Sequence, residues 1–486
     1  MRAQQIFFIV MAISLTACQP SQDKTATQGQ APHQHAPSHD SYQLEKLSQI
    51  SSQANAPLSK RQILEQAASL LTTTMLQCPS LIWPSYDWKN VNVMLTAEGE
   101  GTILWKGSQG GALSDVAPAD VPARATMGMY SFFEYQGAKT VALFMEKDDR
   151  YLDNATAMFR LGVHEGFHYI GQSGWSYKQG GARTTLLPLE DKPRFYRRLM
   201  SRRLKEHVVS GQADTPSLRK AAFWFQKWKT EFPHEVNSAT DGYEGTAEYT
   251  ETLAHLVSLN GCQLSESELQ QKLVEFLRTG GEADERLNTA LDSEGYSMGS
   301  LGAYALRFNQ KRVDWQGRVK ASETPLEILF ENVSAQADEE DLPLADQYRK
   351  EFATYSQQYE NFIAADLALV KSTDAIFVVP PPASNEGSKG YYGFYSDRSL
   401  PNVIFGPFTS TVKFQSGDWA LDVAAKKNDV KLAGRSVPCG GHTFIMPSSS
   451  VVIGEGVLKA TGAGMTGTMR GELKTDAEGR RWFCGQ

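Results

Sequence analysis

The chain has 486 residues, of which 41% are hydrophobic and 21% charged; this excludes a single small module, wholesale disorder and a collagen-like or coiled-coil chain, and leaves room for two or three domains. Its 48 Lys+Arg against 55 Asp+Glu give a formal net charge of −7, which argues against nucleic acid as the main partner because neutralising phosphates needs surplus positive charge. The 5 cysteines leave an odd thiol to be explained if the protein is exported.

At the N-terminus, Met1-Arg2 precedes the apolar run 6–15, and small residues stand just before Cys18. This has the make-up of an export signal, too short to span a bilayer as a mature helix. Leu15-Thr16-Ala17-Cys18 resembles a bacterial lipobox. That resemblance implies removal of residues 1–17, lipidation of Cys18 and, with Gln19 following, placement at the outer membrane on its periplasmic or surface face. The expected location is the bacterial cell envelope. Acyl chains on Cys18 are the expected membrane anchor, because no other stretch approaches about eighteen apolar residues. With Cys18 so used, Cys78, Cys262, Cys439 and Cys484 form an even set in an oxidising compartment. Cys439 with Cys484, both in the last segment, and Cys78 with Cys262 are the favoured pairs of the three connectivities four cysteines allow.

Residues 18–44 are mostly Gln, Ser, Thr, Pro, Ala and His, with almost no large apolar side chain up to about Asp40; they read as a disordered tether whose His33, His35 and His39 are solvated linker residues. Helical spacing starts at Leu58-Ser59 and runs through Ile63, Ala67, Leu70 and Leu71. Short alternating runs at 91–96, 102–106 and 140–145 predict strands. Helices are then expected near 154–170, 193–209, 217–232, 242–259, 266–278 and 343–370. Strands followed by helices argue an α+β domain over 45–376. The proline-rich stretch 378–390 predicts a boundary. Beyond it, short aromatic and β-branched runs at 391–395, 403–405, 412–414, 419–423, 443–446, 451–453 and 481–483 predict a small all-β sandwich or barrel over 377–486.

His164-Glu165-Gly166-Phe167-His168 carries the chemistry. Residues four apart on a helix are offset by about 40°, so both imidazoles project from one face, while Glu165 sits a step round to meet a water between them. Gly162 and Gly166 cost the helix about 1 kcal/mol each relative to Ala, which predicts close packing there. Two histidines leave a catalytic zinc one protein ligand short. A downstream helix, Tyr243-Glu244-Gly245-Thr246-Ala247-Glu248-Tyr249, supplies acidic candidates, with Glu244, Glu248 and Glu251 repeating along one side. By spacing alone either Glu244 or Glu248 fits as the third ligand.

The two motifs together resemble the gluzincin metallopeptidases, whose second helix carries E-G-x-A. The resemblance covers roughly residues 140–308 and implies a mainly helical zincin-like catalytic domain, zinc as cofactor, Glu244 as third ligand and Glu248 as a carboxylate orienting a ligand imidazole. It implies hydrolysis of a peptide or protein substrate, with Glu165 passing a proton from water to the leaving amine. Residues 296–304 look like the tyrosine-glycine helix of several gluzincins, making Tyr296 the candidate oxyanion donor and Tyr304 the reserve. One departure is the long separation between the motifs, 76 residues from His168 to Glu244, which calls for a helical insertion folded away from the site. Residues 139–145 are the expected edge strand for an extended peptide. A binding or assembly lipoprotein on a peptidase-like scaffold is the alternative reading, and a non-peptide amide the alternative substrate. The basic run Arg194, Arg197, Arg198, Arg202, Arg203 and Lys205 reads as a solvated helix face, and His255, about 16 Å along the helix from Glu244 and too far to share its metal, as a core histidine or one that supports the site from behind a ligand.

Overall fold

The computed structural model describes residues 58–486 other than 85, 127–128, 148, 150–151, 176–183, 237–239, 280–290, 382–384, 387–393, 399, 408–411, 424–427, 433–437, 440–442 and 463. The export signal, Cys18 and the tether lie outside the described residues. Ser59 opens the first helix, α1 (Lys60–Leu70), through a reciprocal capping box with Gln62, which satisfies amides that the helix ladder leaves open.

Five strands follow: β1 (Val91–Ala97), β2 (Gly101–Lys106), β3 (Ala112–Val116), β4 (Tyr130–Tyr135) and β5 (Ala138–Met145). Their order is β3-β2-β1-β5-β4, with β1 and β5 parallel and the other neighbours antiparallel. The sequence reading found β1, β2 and β5 but not β3 or β4. It also placed the edge wrongly: β5 lies inside, hydrogen-bonded to β1 on one side and β4 on the other, so the edge is β4. β5 spends its buried Val141, Ala142 and Leu143 on the interior, as an inner strand with both faces covered does.

The helices are α2 (Ala155–Gly166), α3 (Asp191–Ser210), α4 (Pro216–Glu231), the short α5 (Pro233–Val236), α6 (Thr240–Asn260), α7 (Glu266–Arg278), α8 (Leu291–Tyr304), α9 (Trp315–Lys320), α10 (Pro325–Phe330) and α11 (Leu342–Lys371). Each helix expected from periodicity is present. A strand that was not expected, β6 (Thr184–Leu187), lies between α2 and α3.

The remaining strands are β7 (Ala375–Val379), β8 (Asn385–Glu386), β9 (Phe394–Asp397), β10 (Leu400–Pro407), β11 (Val412–Ser416), β12 (Trp419–Val423), β13 (Asn428–Leu432), β14 (Phe444–Pro447), β15 (Val451–Gly454), β16 (Val457–Gly462), β17 (Met465–Thr475) and β18 (Arg481–Gly485). They form one sheet curled into a half-barrel, not a closed barrel or two separate sheets, because the long β17 pairs with β12 and β16 through its first half and with β18 through its second. β7 takes up the first residues of the expected boundary, Val378 and Val379, and its alternation feeds two cores: Ile376 and Val378 face one with Phe414, Leu421 and Phe483, while Ala375, Phe377 and Val379 face another with Val370 and Trp482. β6 joins this same sheet, parallel to β9, with Thr184 opposite Phe394 and Leu187 opposite Asp397. Both favoured disulfides are present, Cys78–Cys262 and Cys439–Cys484. Among the described residues no helix is long and apolar enough to cross a membrane.

Candidate metal centre

Asn154 caps α2 by accepting from the Ala157 amide at 2.8 Å. The helix then runs through the interior with Met158, Phe159, Leu161 and Val163 all buried, so its polar motif is delivered into a desolvated space. Gly166 is required there: a Cβ would stand 2.7 Å from the Trp88 indole. Past Gly166 the helix widens into a π turn, Phe167–Gly171, a local distortion frequent at functional sites. The opposing helix α6 meets α8 on glycines. A Cβ on Gly299 would lie 1.8 Å from the Asp241 carbonyl oxygen and one on Gly245 2.3 Å from the Gly299 Cα, so the glycine of E-G-x-A lets the two backbones touch and brings Tyr296 to the site.

Three side chains from the two helices converge. His168 Nε2 lies 3.1 Å from His164 Nε2 and 3.1 Å from Glu244 Oε2, and His164 Nε2 lies 3.4 Å from the same carboxylate oxygen. All are nearly inaccessible, His164 at 5%, His168 at 3% and Glu244 at 5% exposed, with Glu165 beside them at 6%. The outer ring nitrogens are already used. His164 Nδ1 is 3.0 Å from Glu251 Oε2, and Glu251 in turn accepts from Arg160 Nε at 2.7 Å. His168 Nδ1 is 2.7 Å from Gln172 Oε1. With each Nδ1–H turned outward, both Nε2 atoms are left facing one carboxylate oxygen, an arrangement that demands positive charge at its centre, a proton or a metal ion.

That demand appears in the electrostatics. Burial disfavours charge on His164, yet Glu244 and Glu251 more than offset it and raise the imidazole well above its ordinary range. Burial likewise opposes ionisation of Glu244, but His168 and His164 outweigh it and hold the carboxyl far below the usual carboxylate range. Burial pushes Glu165 up to about 7, with His164 and His168 pulling the other way. Among the described residues its Oε2 is buried without a hydrogen-bond partner, a polar atom left for a ligand or a water. Burial and the neighbouring carboxylates raise Tyr130 and Tyr296 well above the ordinary phenol range, so both hydroxyls stay protonated and can donate.

The donor set fits a metal ion. A tetrahedral ion with bonds of roughly 2.0–2.1 Å holds its ligand atoms roughly 3.3 Å apart, which is the spacing of these three atoms. His164, His168 and Glu244 form a buried group that can hold a metal ion. Two imidazoles and one carboxylate suit zinc, though they do not single it out.

Of the other residues singled out in the sequence, Tyr296 stacks on the His164 ring at 5.5 Å and 12°. Tyr304 is elsewhere, packed against Tyr249 in the core. The carboxylate hydrogen-bonded to His164 is Glu251, while Glu248 lies 4.0 Å from Arg160 Nη2 and close enough to His164 and Glu251 to form a second, adjoining group of possible ligands with them. Seven residues on from Glu244, Glu251 is two helical turns along the same face, whereas Glu248 is rotated by about 40°. His255 is buried with neither ring nitrogen hydrogen-bonded among the described residues, and burial, with the nearby Arg160 guanidinium adding to it, brings it down to about 3. The basic run of α3 is not a solvated face. Arg197 is 1% exposed, makes paired hydrogen bonds to Asp241 at 3.1 and 2.7 Å and reaches Glu294 at 2.7 Å, and Arg194 bridges Glu294 and Glu235. These pairs tie α3 to the helix starts that carry Glu244 and Tyr296.

Four site residues were missed by the sequence reading: Glu251 as the partner of His164, Gln172, Tyr243, whose ring stacks on His168 at 4.4 Å and 12°, and Tyr130 on the edge strand. Glu251 and Gln172 each carry a periodic signal, two turns from Glu244 and one turn from His168. The two tyrosines carry none. Comparison of the chain with family models, with curated proteins and with solved structures finds no match, so the functional evidence is the geometry and the motifs.

Proposed function

We propose that this protein is a zinc-dependent, gluzincin-type peptidase borne on a lipid-anchored lipoprotein of the bacterial cell envelope. The observation that carries the reading is the convergence of His164, His168 and Glu244 at tetrahedral ligand spacing beside a buried Glu165 whose Oε2 has no partner. The two disulfides agree with an oxidising, extracytoplasmic compartment. Zinc, when bound, supplies Lewis acidity and a water that loses its proton near neutral pH.

The chain's own residues do the rest. Glu165, buried beside the two imidazoles with its Oε2 lacking a hydrogen-bond partner among the described residues, is the residue placed to accept a proton from the attacking water and return it to the leaving amine. The protonated hydroxyls of Tyr296 and Tyr130 are the donors available to the developing oxyanion. β4, which among the described residues pairs only with β5, leaves an open row of backbone groups starting at Tyr130, to which an extended peptide can add as a strand.

The test uses the purified full chain. Wild type is expected to hold about one zinc per chain and to cleave members of a peptide library; Glu165→Gln is expected to keep its zinc and lose about 10²- to 10⁴-fold in rate. Equal cleavage by both proteins overturns the mechanism. If no zinc binds, the enzyme reading fails and the alternative of a binding lipoprotein stands.

A further inference from the structure

The two ligand imidazoles are held by chemically different partners. His164 leans on a carboxylate that is itself paired to a guanidinium, Glu251 with Arg160. His168 leans on a neutral amide. Gln172 is 4% exposed and is the residue that closes the π turn, its own amide donating back to the Phe167 carbonyl at 2.8 Å.

Both donors of the Gln172 side chain are committed. Its Nε2 donates to the Tyr243 carbonyl oxygen at 2.6 Å and to Thr246 Oγ1 at 2.9 Å. Thr246 Oγ1 is an acceptor there because its own proton goes to the Gly242 carbonyl oxygen at 2.7 Å. With both hydrogens of the amide nitrogen facing obligate acceptors, the amide has one orientation, and its oxygen must be the atom at His168 Nδ1. An amide oxygen only accepts, so Nδ1 carries a proton and Nε2 is the ring nitrogen left to face Glu244 and a metal. One side chain therefore sets which ring nitrogen of His168 is turned to the site and at the same time grips α6 on either side of Glu244, at the Tyr243 carbonyl oxygen and the Thr246 hydroxyl. It spans the two ligand-bearing helices.

We propose that Gln172 is a positioning residue, a latch that sets the tautomer of His168 and the distance between His168 and Glu244, and so sets the affinity of the site for its metal. The inference rests on the metal reading of the site and not on the peptidase chemistry. A carboxylate at this position accepts from Nδ1 but cannot donate to Tyr243 and Thr246, and a thioether of the same length does neither.

The experiment takes the full chain as wild type, Gln172→Met and Gln172→Glu. In metal-free protein at pH 8, long-range ¹H–¹⁵N correlation of the His168 ring is expected to show the Nδ1–H form in wild type and Gln172→Glu, and a shift towards Nε2–H in Gln172→Met. Zinc affinity, measured by competition with a chromophoric chelator, is expected to fall by about 10- to 100-fold in Gln172→Met and to lie between the two in Gln172→Glu. A wild-type His168 in the Nε2–H form overturns the proposal without recourse to any variant. So does zinc affinity in Gln172→Met within twofold of wild type, or an equal loss in Met and Glu variants, which would reduce Gln172 to packing. Should wild type bind no zinc at all, the metal reading falls, while the tautomer measurement still decides whether the latch exists.

Discussion

Among the described residues, every Asp, Glu, Arg and His that is buried whole lies between His164 and His255, whereas the C-terminal half-barrel buries one polar residue, Thr443. The two regions solve the same folding problem differently. The half-barrel removes apolar surface from water and staples itself with Cys439–Cys484. The helical region does this too, with a far larger apolar cluster, and in addition pays desolvation for charge. Buried ion pairs are poor sources of net stability, since their mutual attraction only roughly offsets the loss of water. Arg194, Arg197, Glu235, Asp241 and Glu294 are thus better understood as fixing where α6 and α8 begin, which is where Glu244 and Tyr296 are.

The difference can be broken most severely at Asp241. Asp241→Ala leaves Arg197 buried with its bidentate partner gone, and the urea midpoint is expected to fall by the equivalent of about 4 kcal/mol. The helix crossing is the next largest effect. Gly299→Ala sets a methyl against the Asp241 carbonyl and the Gly245 backbone, and the helices must part at an expected cost of about 3 kcal/mol, read as a lowered midpoint with weakened zinc retention.

A third effect depends on pH. Burial opposes the charge on Asp338, but hydrogen bonds from Arg203, Trp224 and Lys220 outweigh it and bring the carboxyl down to about 2. Because the folded pKa is the lower one, the stabilisation is complete above about pH 4 and drains away as pH falls from there towards 2. It is worth about 2 kcal/mol. Urea midpoints of wild type and Asp338→Asn are expected to differ at pH 7 and to converge near pH 2; a constant difference would refute the linkage. The smallest effect sharpens the contrast from the other side. Arg470 and Asp418 in the half-barrel form an ion pair with side chains 62% and 66% exposed, and Arg470→Ala is expected to change stability by less than about 0.5 kcal/mol.

What the sequence made legible follows the range of the interactions involved. The spacing of His164 and His168 is a property of one helical turn, and the helix that carries Glu244 is readable from its own periodicity. Glu251 was in view as part of an acidic stripe, but choosing it over Glu248 needs the rotation of α6 relative to α2, which no local pattern encodes. The basic run of α3 was misread for the same reason: its partners Glu235, Asp241, Glu294 and Asp338 are distant in the chain, so a helix with charges all round looked solvated. The edge went to β4 because edge and centre are properties of the assembled sheet; the run Tyr130–Tyr135 contains Phe132 and Phe133 side by side, which blurs its alternation. The half-barrel was readable as many short strands, yet its curl depends on β17 turning from one set of neighbours to another.

The pairing of β6 with β9 bears on the order in which the protein can be assembled. β6 follows the histidine-bearing helix closely, but its partner Phe394–Asp397 emerges about two hundred residues later in synthesis. Until then Leu187, buried in the finished protein at 3% exposed, has no sheet to cover it. The helical region can therefore condense early around its local contacts, while the stretch leading out of the metal helix waits for the C-terminal strands. Such a long-range closure is slow by nature, and it makes the half-barrel the part on which the final settling of the middle of the chain depends.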